Sequence, residues 1–567
     1  MADRVVLDLA FDEERLAAAR AAGGTLHYIA VMATLPAARD AVLAAVWPVA
    51  VPGLHRIELD GGRTILDIAL GEPDTLVPEL DARVDEFIVP AAAAPLRALS
   101  RLAVPGARLR TAPGDEAWRD ENWQRGLRAA GFSREGETTP FEARYTSRKP
   151  QPPRPAPPVR SAVVIGAGVA GAAACERLCA HGWHVTLIER HDTPAQEASG
   201  NRAGIFMPLL SRDDNIPTRL TRAAYLYALR RWQALGGMAD DGGAPVRGRQ
   251  CGVLQLARDA EHAALQREVA RAWAYPPDYV RWLDENQASA LLGSATPHGA
   301  WLFPQGGWAN PASVCRAMLA ACGARLARIF HAEALSLERA GERWLVRGGD
   351  GALLAEGAHV IVANGAGALQ LPQTAPLPLY TMRGQVTHLA AEAFAAPPLV
   401  VCREAYMTPA MDGIASVGAT YEKTAEKTAE QEAERAAEHP LRPASQAENL
   451  ARARDILGAA RVPADPPLAG RVGLRCMAPD RLPLVGALPD HGAPGAPERL
   501  RDVARHPGLH ALLGYASRGL IWAPLAAELL VCQLEGLPSP VEATLAAALD
   551  PGRFLLKSRR KTVASAP

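Results

Sequence analysis

The chain reads as an α/β protein in two parts: a small α/β module, then a larger domain whose parallel sheet is interrupted by an inserted substrate part. Three observations carry this. Residues 163–190 run VVIGAGVAGAAACERLCAHGWHVTLIER, an apolar strand, a glycine turn, a helix-forming stretch and a second apolar strand ending at Glu189. Residues 149–158, KPQPPRPAPP, hold six prolines and continue neither helix nor sheet, so they mark a stiff linker. Further glycine turns follow far downstream, at Asn364-Gly365-Ala366-Gly367 after an apolar strand and at Gly514–Leu520 before an apolar helix. A nucleotide-binding sheet assembled from pieces so far apart implies a domain inserted between them.

Taken in order, residues 1–148 form the front module and 149–158 the linker, and the large domain occupies 159–567. In its turn, Gly166 permits the sharp bend and Gly168 lets backbone approach a pyrophosphate. Gly171 lets the helix pack close to the sheet. The free N–H groups and positive end of that helix suit phosphates. Glu189 follows Gly166 by 23 residues, near the roughly 20 expected of the acid that grips a ribose hydroxyl. Together these predict an adenine dinucleotide. Residues 421–439, rich in Glu, Lys and Ala, read as a solvated surface helix, and the basic run 557–561 as a solvated terminus. No internal repeat is visible.

Composition narrows the function classes. The 567 residues suffice for two to four domains. Lys+Arg and Asp+Glu are both 61, which excludes a generally basic nucleic-acid coat but not a local patch. The eight cysteines form no CxxC pair, so neither disulfides nor a metal site is expected. No secretory signal and no run of about 18 apolar residues is present, so the expectation is a cytoplasmic protein without a membrane partner. The sequence does not set the oligomeric state and is compatible with a monomer.

GAGVAG, ASGNRAG, VIVANGAG, GLRCMAPDRLPLVG and GYASRGL together resemble the FAD-dependent oxidases of the D-amino-acid and glycine oxidase type. SGNRAGIFMPLLSRDD, FPQGGWANP, TMRGQVTHL, LRCMAPDRLPLVGALPD and ASRGLIWAPLAAELL are more specific. They resemble the FAD domain of the bifunctional tRNA 5-methylaminomethyl-2-thiouridine biosynthesis family, MnmC. The resemblance implies an FAD-binding Rossmann-like fold of the glycine oxidase type, with residues 159–235, 340–370 and 470–540 around the cofactor. An antiparallel-sheet substrate part would come from 236–339 and 371–469. It implies a tRNA substrate, oxidised at 5-carboxymethylaminomethyl-(2-thio)uridine of the wobble position to leave 5-aminomethyl-(2-thio)uridine. Arg475 matches the arginine that grips a substrate carboxylate, with Arg383 as a second candidate and Tyr406 placed to offer a hydroxyl. Ser199, Gly200, Asn201 and Arg202 are expected beside the flavin, as are Gly365, Gly514, Ser517, Arg518, Gly519 and Leu520. Two readings compete with this one: an oxidase of a small free amino acid such as glycine or sarcosine, and a tRNA-binding scaffold with vestigial flavin.

In the same family the front module is an S-adenosylmethionine-dependent methyltransferase. HYIAVMATLPAARD, WPVAVPGLHRIELDGGRTILDIALGE and LSRLAVPGARLRT keep that resemblance. The GFGTG-type turn is replaced by Asp8-Leu-Ala-Phe-Asp-Glu-Glu14, the ribose acid by Met32, and the DGFAP motif by Val89-Pro90-Ala91-Ala92-Ala93. The expectation is a truncated, degenerate methyltransferase-like α/β domain that no longer binds S-adenosylmethionine and persists as a scaffold.

Overall fold

The computed structural model describes residues 4–91, 94–134, 136, 141–146, 159–392, 394–423, 440–495 and 497–556. The Pro-rich linker, most of the charged stretch (424–439), Ala92, Ala93 and the basic tail lie outside the described residues. Contacts divide the chain into two units: Met1–Pro158 with Leu529–Ala546, and Val159–Glu528 with Ala547–Pro567. The sequence reading placed 529–546 wholly in the large domain; its contacts count with the front module instead.

The first unit is built on an eight-stranded sheet. Its order is Gly53–Leu59, Thr64–Leu70, Leu26–Met32, Arg4–Asp8, Val84–Val89, Ala103–Thr111, Glu142–Tyr145 and Phe132–Arg134. The middle five strands are parallel. The Val- and Ile-rich strands are apolar on both faces, as a sheet covered on both sides requires. Strand order reverses beside Arg4–Asp8, which places a doubly wound sheet's ligand crevice just beyond Asp8. The segment Leu529–Ala546 is held by a buried ionic group. Arg56 and Asp67 are direct cross-strand partners. Arg56 donates to both Asp67 oxygens at 2.9 and 2.8 Å, to the Cys532 sulfur at 3.0 Å and to the Pro538 carbonyl at 2.8 Å. The His27 ring joins the group, 2.6 Å from Asp67.

The second unit contains a six-stranded sheet. Its order is Leu326–Ile329, His184–Ile188, Ser161–Ile165, His359–Val362, Arg505–Leu513 and Leu484–Pro489, parallel except for the last strand. The presence of Leu326–Ile329 corrects the expected partition, since the cofactor-binding sheet takes a strand from a segment assigned to the substrate part. Beside it stands a larger mixed sheet that includes Val253–Leu256, Val400–Cys402, Tyr406–Met407, Ile414–Gly418, Tyr380–Ala390 and Gly470–Met477. This sheet is mainly antiparallel, with one parallel pair between Val253–Leu256 and Val400–Cys402. The helix Pro443–Leu457 packs on one face of it. Among the described residues no helix is long and apolar enough to cross a membrane.

Candidate active site

A cavity of about 450 Å³ runs from the carboxyl ends of the parallel strands to the larger sheet. Its first wall is the turn after Ser161–Ile165. Gly166 takes φ +99°, and a Cβ there would stand 2.7 Å from the Asn364 Cα. A Cβ on Gly171 would overlap the Gly166 carbonyl oxygen, so helix Val169–Ala180 can seat on the strand only with glycine here. At Gly168 a Cβ would meet just the Ser199 hydroxyl, at 3.1 Å. That backbone therefore faces the cavity. Glu189 lines it too; one carboxylate oxygen accepts from the Ala167 N–H at 2.6 Å and the other from the His191 N–H at 3.0 Å. The Ser199 hydroxyl accepts from Val169 N–H at the helix start.

Asn201, Gly365, Gly514, Ser517, Arg518, Gly519 and Leu520 also line the cavity. Arg518 is half-buried, and its guanidinium donates weakly to the Met207 carbonyl at 3.4 Å. Sequence reasoning missed Asn364 and Tyr515, which both line the cavity and keep a buried side-chain oxygen, Oδ1 and the phenol, without a hydrogen-bond partner. Such orphaned groups beside a glycine cradle fit a polar ligand. Asn364 stood next to a glycine turn already noted, so its signal was available.

At the far end stands Arg475. Its guanidinium donates to the Thr420 carbonyl at 3.1 Å and lies 4.4 Å from the centre of the Tyr421 ring. A Cβ on Gly384 would fall inside the guanidinium, so glycine there makes its room. No carboxylate among the described residues pairs with Arg475. Tyr406 lines the same end; burial pushes its phenol up to about 12, against the pull of Arg475, so it stays a hydrogen-bond donor.

Four expected site residues lie elsewhere. Arg383 is directly opposite Leu474, whereas Arg475 is opposite Met382, so the two arginines are on opposite faces of the sheet. Arg383 faces the helix Pro443–Leu457 and is consumed there by Glu422 at 3.0 Å, Gln385 at 3.1 Å and the Pro440 carbonyl at 2.8 Å. Arg202 turns from the cavity toward Met411 and Asp412. Gly200 and Gly171 do not line the cavity; Gly200 leaves space for the Arg471 guanidinium, and Gly171 for the Gly166 carbonyl. The charged stretch also departs from expectation at its start. Tyr421 is a cavity wall and Glu422–Lys423 a short strand, not a surface helix.

The switch point of the first unit is built differently. The Asp8 carboxylate, fully buried, accepts from the Tyr28 hydroxyl at 2.5 Å, from Arg15 at 3.2 Å and from the Ala10 N–H at 2.7 Å. The Phe11 ring packs against Tyr28 and Trp47, with centroids 6.3 and 6.2 Å away. A turn that should offer bare backbone to a ligand offers side chains already bonded to each other.

Residues 161–533 match the family described as FAD dependent oxidoreductase. Over 538 residues the chain is 42% identical to the tRNA 5-methylaminomethyl-2-thiouridine biosynthesis bifunctional protein MnmC of Azoarcus sp., covering 92% of this chain and 81% of that protein. The chain belongs to the MnmC family. The relative of the same name from Burkholderia thailandensis is 41% identical over 549 residues, with the same coverage. Membership makes the protein an FAD-dependent oxidoreductase, and the glycine cradle, Glu189 and the orphaned Asn364 and Tyr515 oxygens fit FAD. Glycine oxidase from Geobacillus kaustophilus shares the fold, with TM-score 0.54 and 20% identity over 69% of this chain and 98% of that one. Iminodiacetate oxidase from Chelativorans sp. does likewise, with TM-score 0.53 and 24% identity over 67% and 96%.

Proposed function

We propose that this MnmC-family protein removes the carboxymethyl group from 5-carboxymethylaminomethyl-(2-thio)uridine at the tRNA wobble position, leaving 5-aminomethyl-(2-thio)uridine. The observation that carries the reading is Arg475, a guanidinium fork in the cavity that, among the described residues, has a carbonyl and an aromatic ring for neighbours but no carboxylate partner. A planar, always charged fork suits a substrate carboxylate. Tyr406, kept protonated, donates a second hydrogen bond to it. FAD, when bound, supplies the two-electron acceptor. Anchoring the carboxylate at Arg475 fixes the methylene between carboxylate and amine, whose C–H bond is broken. Water adds to the resulting imine carbon and the C–N bond cleaves, giving a primary amine on the nucleoside and glyoxylate. The substrate's own secondary amine, entering neutral, carries the lone pair that forms the imine, so the chain needs only to position the substrate, with no separate acid–base pair.

The front module is inactive in this reading. Its switch point is closed by the Asp8–Tyr28–Arg15 group, and the residues there do not fit S-adenosylmethionine. No methylation step follows, and the module serves as a scaffold. In this reading the protein works in the cytoplasm.

Rapid-mixing flavin reduction tests the assignment. Carboxymethylaminomethyl-bearing tRNA reduces the bound FAD faster than free glycine or sarcosine does. Fast reduction by the amino acids and none by tRNA would make the protein a small-amino-acid oxidase instead.

A further inference from the structure

The sheet face that carries Arg475 carries more charge than the clamp needs. In the pairing of Tyr380–Ala390 with Gly470–Met477, Met382 is opposite Arg475, Gly384 opposite Gly473 and Val386 opposite Arg471. These pairs share one face, and His388 continues it two residues beyond Val386. Arg471 lies four residues from Arg475, about 13 Å along the strand. Two more arginines come to the same place from other strands and turns. Arg202 follows Asn201 of the cavity wall, and Arg247 comes from strand Val246–Arg249.

Among the described residues, Asp412 is the carboxylate that bonds to these groups. Asp412 accepts from Arg247 at 2.8 Å and from Arg202 at 3.5 Å. Among the described residues no carboxylate bonds to Arg471; it donates to the carbonyls of Gln196 and Glu197, in the turn whose next residues line the cavity. Burial and the charges of Arg202 and Arg471 push the His388 imidazole down to about 4, so it is neutral and adds a hydrogen-bonding group rather than a charge. Arg202 Nε, Arg247 Nε, Arg471 Nη1 and His388 Nε2 all lack hydrogen-bond partners. Three guanidiniums share one hydrogen-bonded carboxylate, with donors unfilled, beside the cavity; the nearby Asp240 and Glu197 carboxylates are taken up by Arg249 and Arg190. Asp412 itself is half-exposed, on a turn residue at φ +49°, and can give way.

We propose that Arg202, Arg247 and Arg471, with His388, form a phosphate-binding site that holds a backbone phosphate of the RNA whose modified base enters the cavity. The inference rests on the tRNA reading above and adds where the tRNA is gripped. Phosphate contacts position a nucleic acid without reading its sequence, which suits a site beside a clamp that already selects the base. An anion at Arg471 and a carboxylate at Arg475 would be separated by a span a nucleotide with an extended C5 arm can bridge.

The test is tRNA affinity against salt concentration for three forms of the full-length holoenzyme. Wild type binds with a steep salt dependence. Arg202→Gln with Arg247→Gln weakens binding about tenfold and lowers the salt slope by about one to two, with flavin content unchanged. Asp412→Asn moves the other way, tightening binding and steepening the slope, because it frees both arginines; asparagine tolerates the left-handed backbone there. A merely structural role for the cluster would give weaker binding in both variants and would overturn the proposal. So would affinity and slope equal to wild type in both. Absence of tRNA binding by wild type would instead overturn the tRNA reading itself. Titration with inorganic phosphate separates the sources: binding lost in the double variant while tRNA affinity is unchanged would assign the site to free phosphate and overturn the RNA assignment.

Discussion

Both units place a parallel sheet with its switch point beside the first strand, and they end that strand in opposite ways. After Ser161–Ile165 the chain is stripped to Gly166, Gly168 and Gly171, and backbone faces a cavity. After Arg4–Asp8 it is filled with Asp8, Phe11 and Arg15, bonded to or packed against Tyr28. The difference teaches that topology and ligand site have separate causes. The sheet of the first unit is held by apolar residues on both faces, which the changes beyond Asp8 leave untouched. The ligand site depends on a handful of backbone positions at one end, and a few side chains suffice to close it.

The largest expected effect breaks the scaffold without touching the flavin site. Asp67 is buried; burial alone would raise its carboxyl, but Arg56 and His27 outweigh it and hold the group well below the usual carboxylate range. Asp67→Asn removes the carboxylate that takes two bonds from the buried Arg56, and should cost about 3–5 kcal/mol of unfolding free energy. Denaturant titration measures this, while flavin content below the transition stays at the wild-type level. A change below 1 kcal/mol would mean that the ionic group does not hold the segment Leu529–Ala546 to its sheet.

Next comes Gly168→Glu. A Cβ there meets only the Ser199 side chain, which needs to shift by a few tenths of an ångström, so an unchanged unfolding transition would assign any flavin loss to the dinucleotide site. Charge against a pyrophosphate should lower FAD affinity about a hundredfold, roughly 3 kcal/mol, read from flavin absorbance after dialysis.

Arg475→Lys keeps the charge and loses the fork. Flavin reduction by carboxymethylaminomethyl tRNA should slow about a hundredfold, some 2–3 kcal/mol, with flavin content and tRNA affinity little changed. Normal reduction would remove Arg475 from the clamp.

The contrast between Arg475 and Arg383 shows where sequence reading runs out. Both sit in strands near glycines, and each was a reasonable carboxylate ligand. Only the pairing of Met382 with Arg475 reveals that they face opposite ways, and that register depends on strands about ninety residues apart. Tyr421 was hidden for a related reason: its surroundings are charged and low in complexity, yet a short strand turns its ring under the guanidinium. Leu326–Ile329 carries two arginine- and alanine-interrupted apolar positions, too weak a pattern to place it at the edge of the parallel sheet. By contrast, the glycine cradle and the glycine-free turn at Asp8 were legible, because local backbone chemistry alone decides them.

The smallest effect separates the units by pH. In the FAD unit the His359 and His510 rings stack, 5.5 Å between centroids. Burial, and then His359, pushes His510 down to about 3. A histidine whose folded value is depressed is protonated more readily when unfolded. Its contribution is therefore complete above about pH 6.5 and falls as pH drops below that, by about 2 kcal/mol at pH 5. Asp67, depressed in the folded state, keeps its contribution until pH falls below the ordinary carboxylate range. Unfolding free energy measured from pH 7.5 to 5 should decline, and His510→Asn should flatten that decline.

The most direct test of the account gives one protein both opportunities. Purified holoenzyme is incubated with tRNA bearing 5-carboxymethylaminomethyl-2-thiouridine, with S-adenosylmethionine present, and the wobble nucleosides are weighed by mass spectrometry. The account predicts conversion to 5-aminomethyl-2-thiouridine and no methylated product. Accumulation of 5-methylaminomethyl-2-thiouridine would contradict the closed switch point at Asp8, and unchanged substrate would contradict the oxidase assignment.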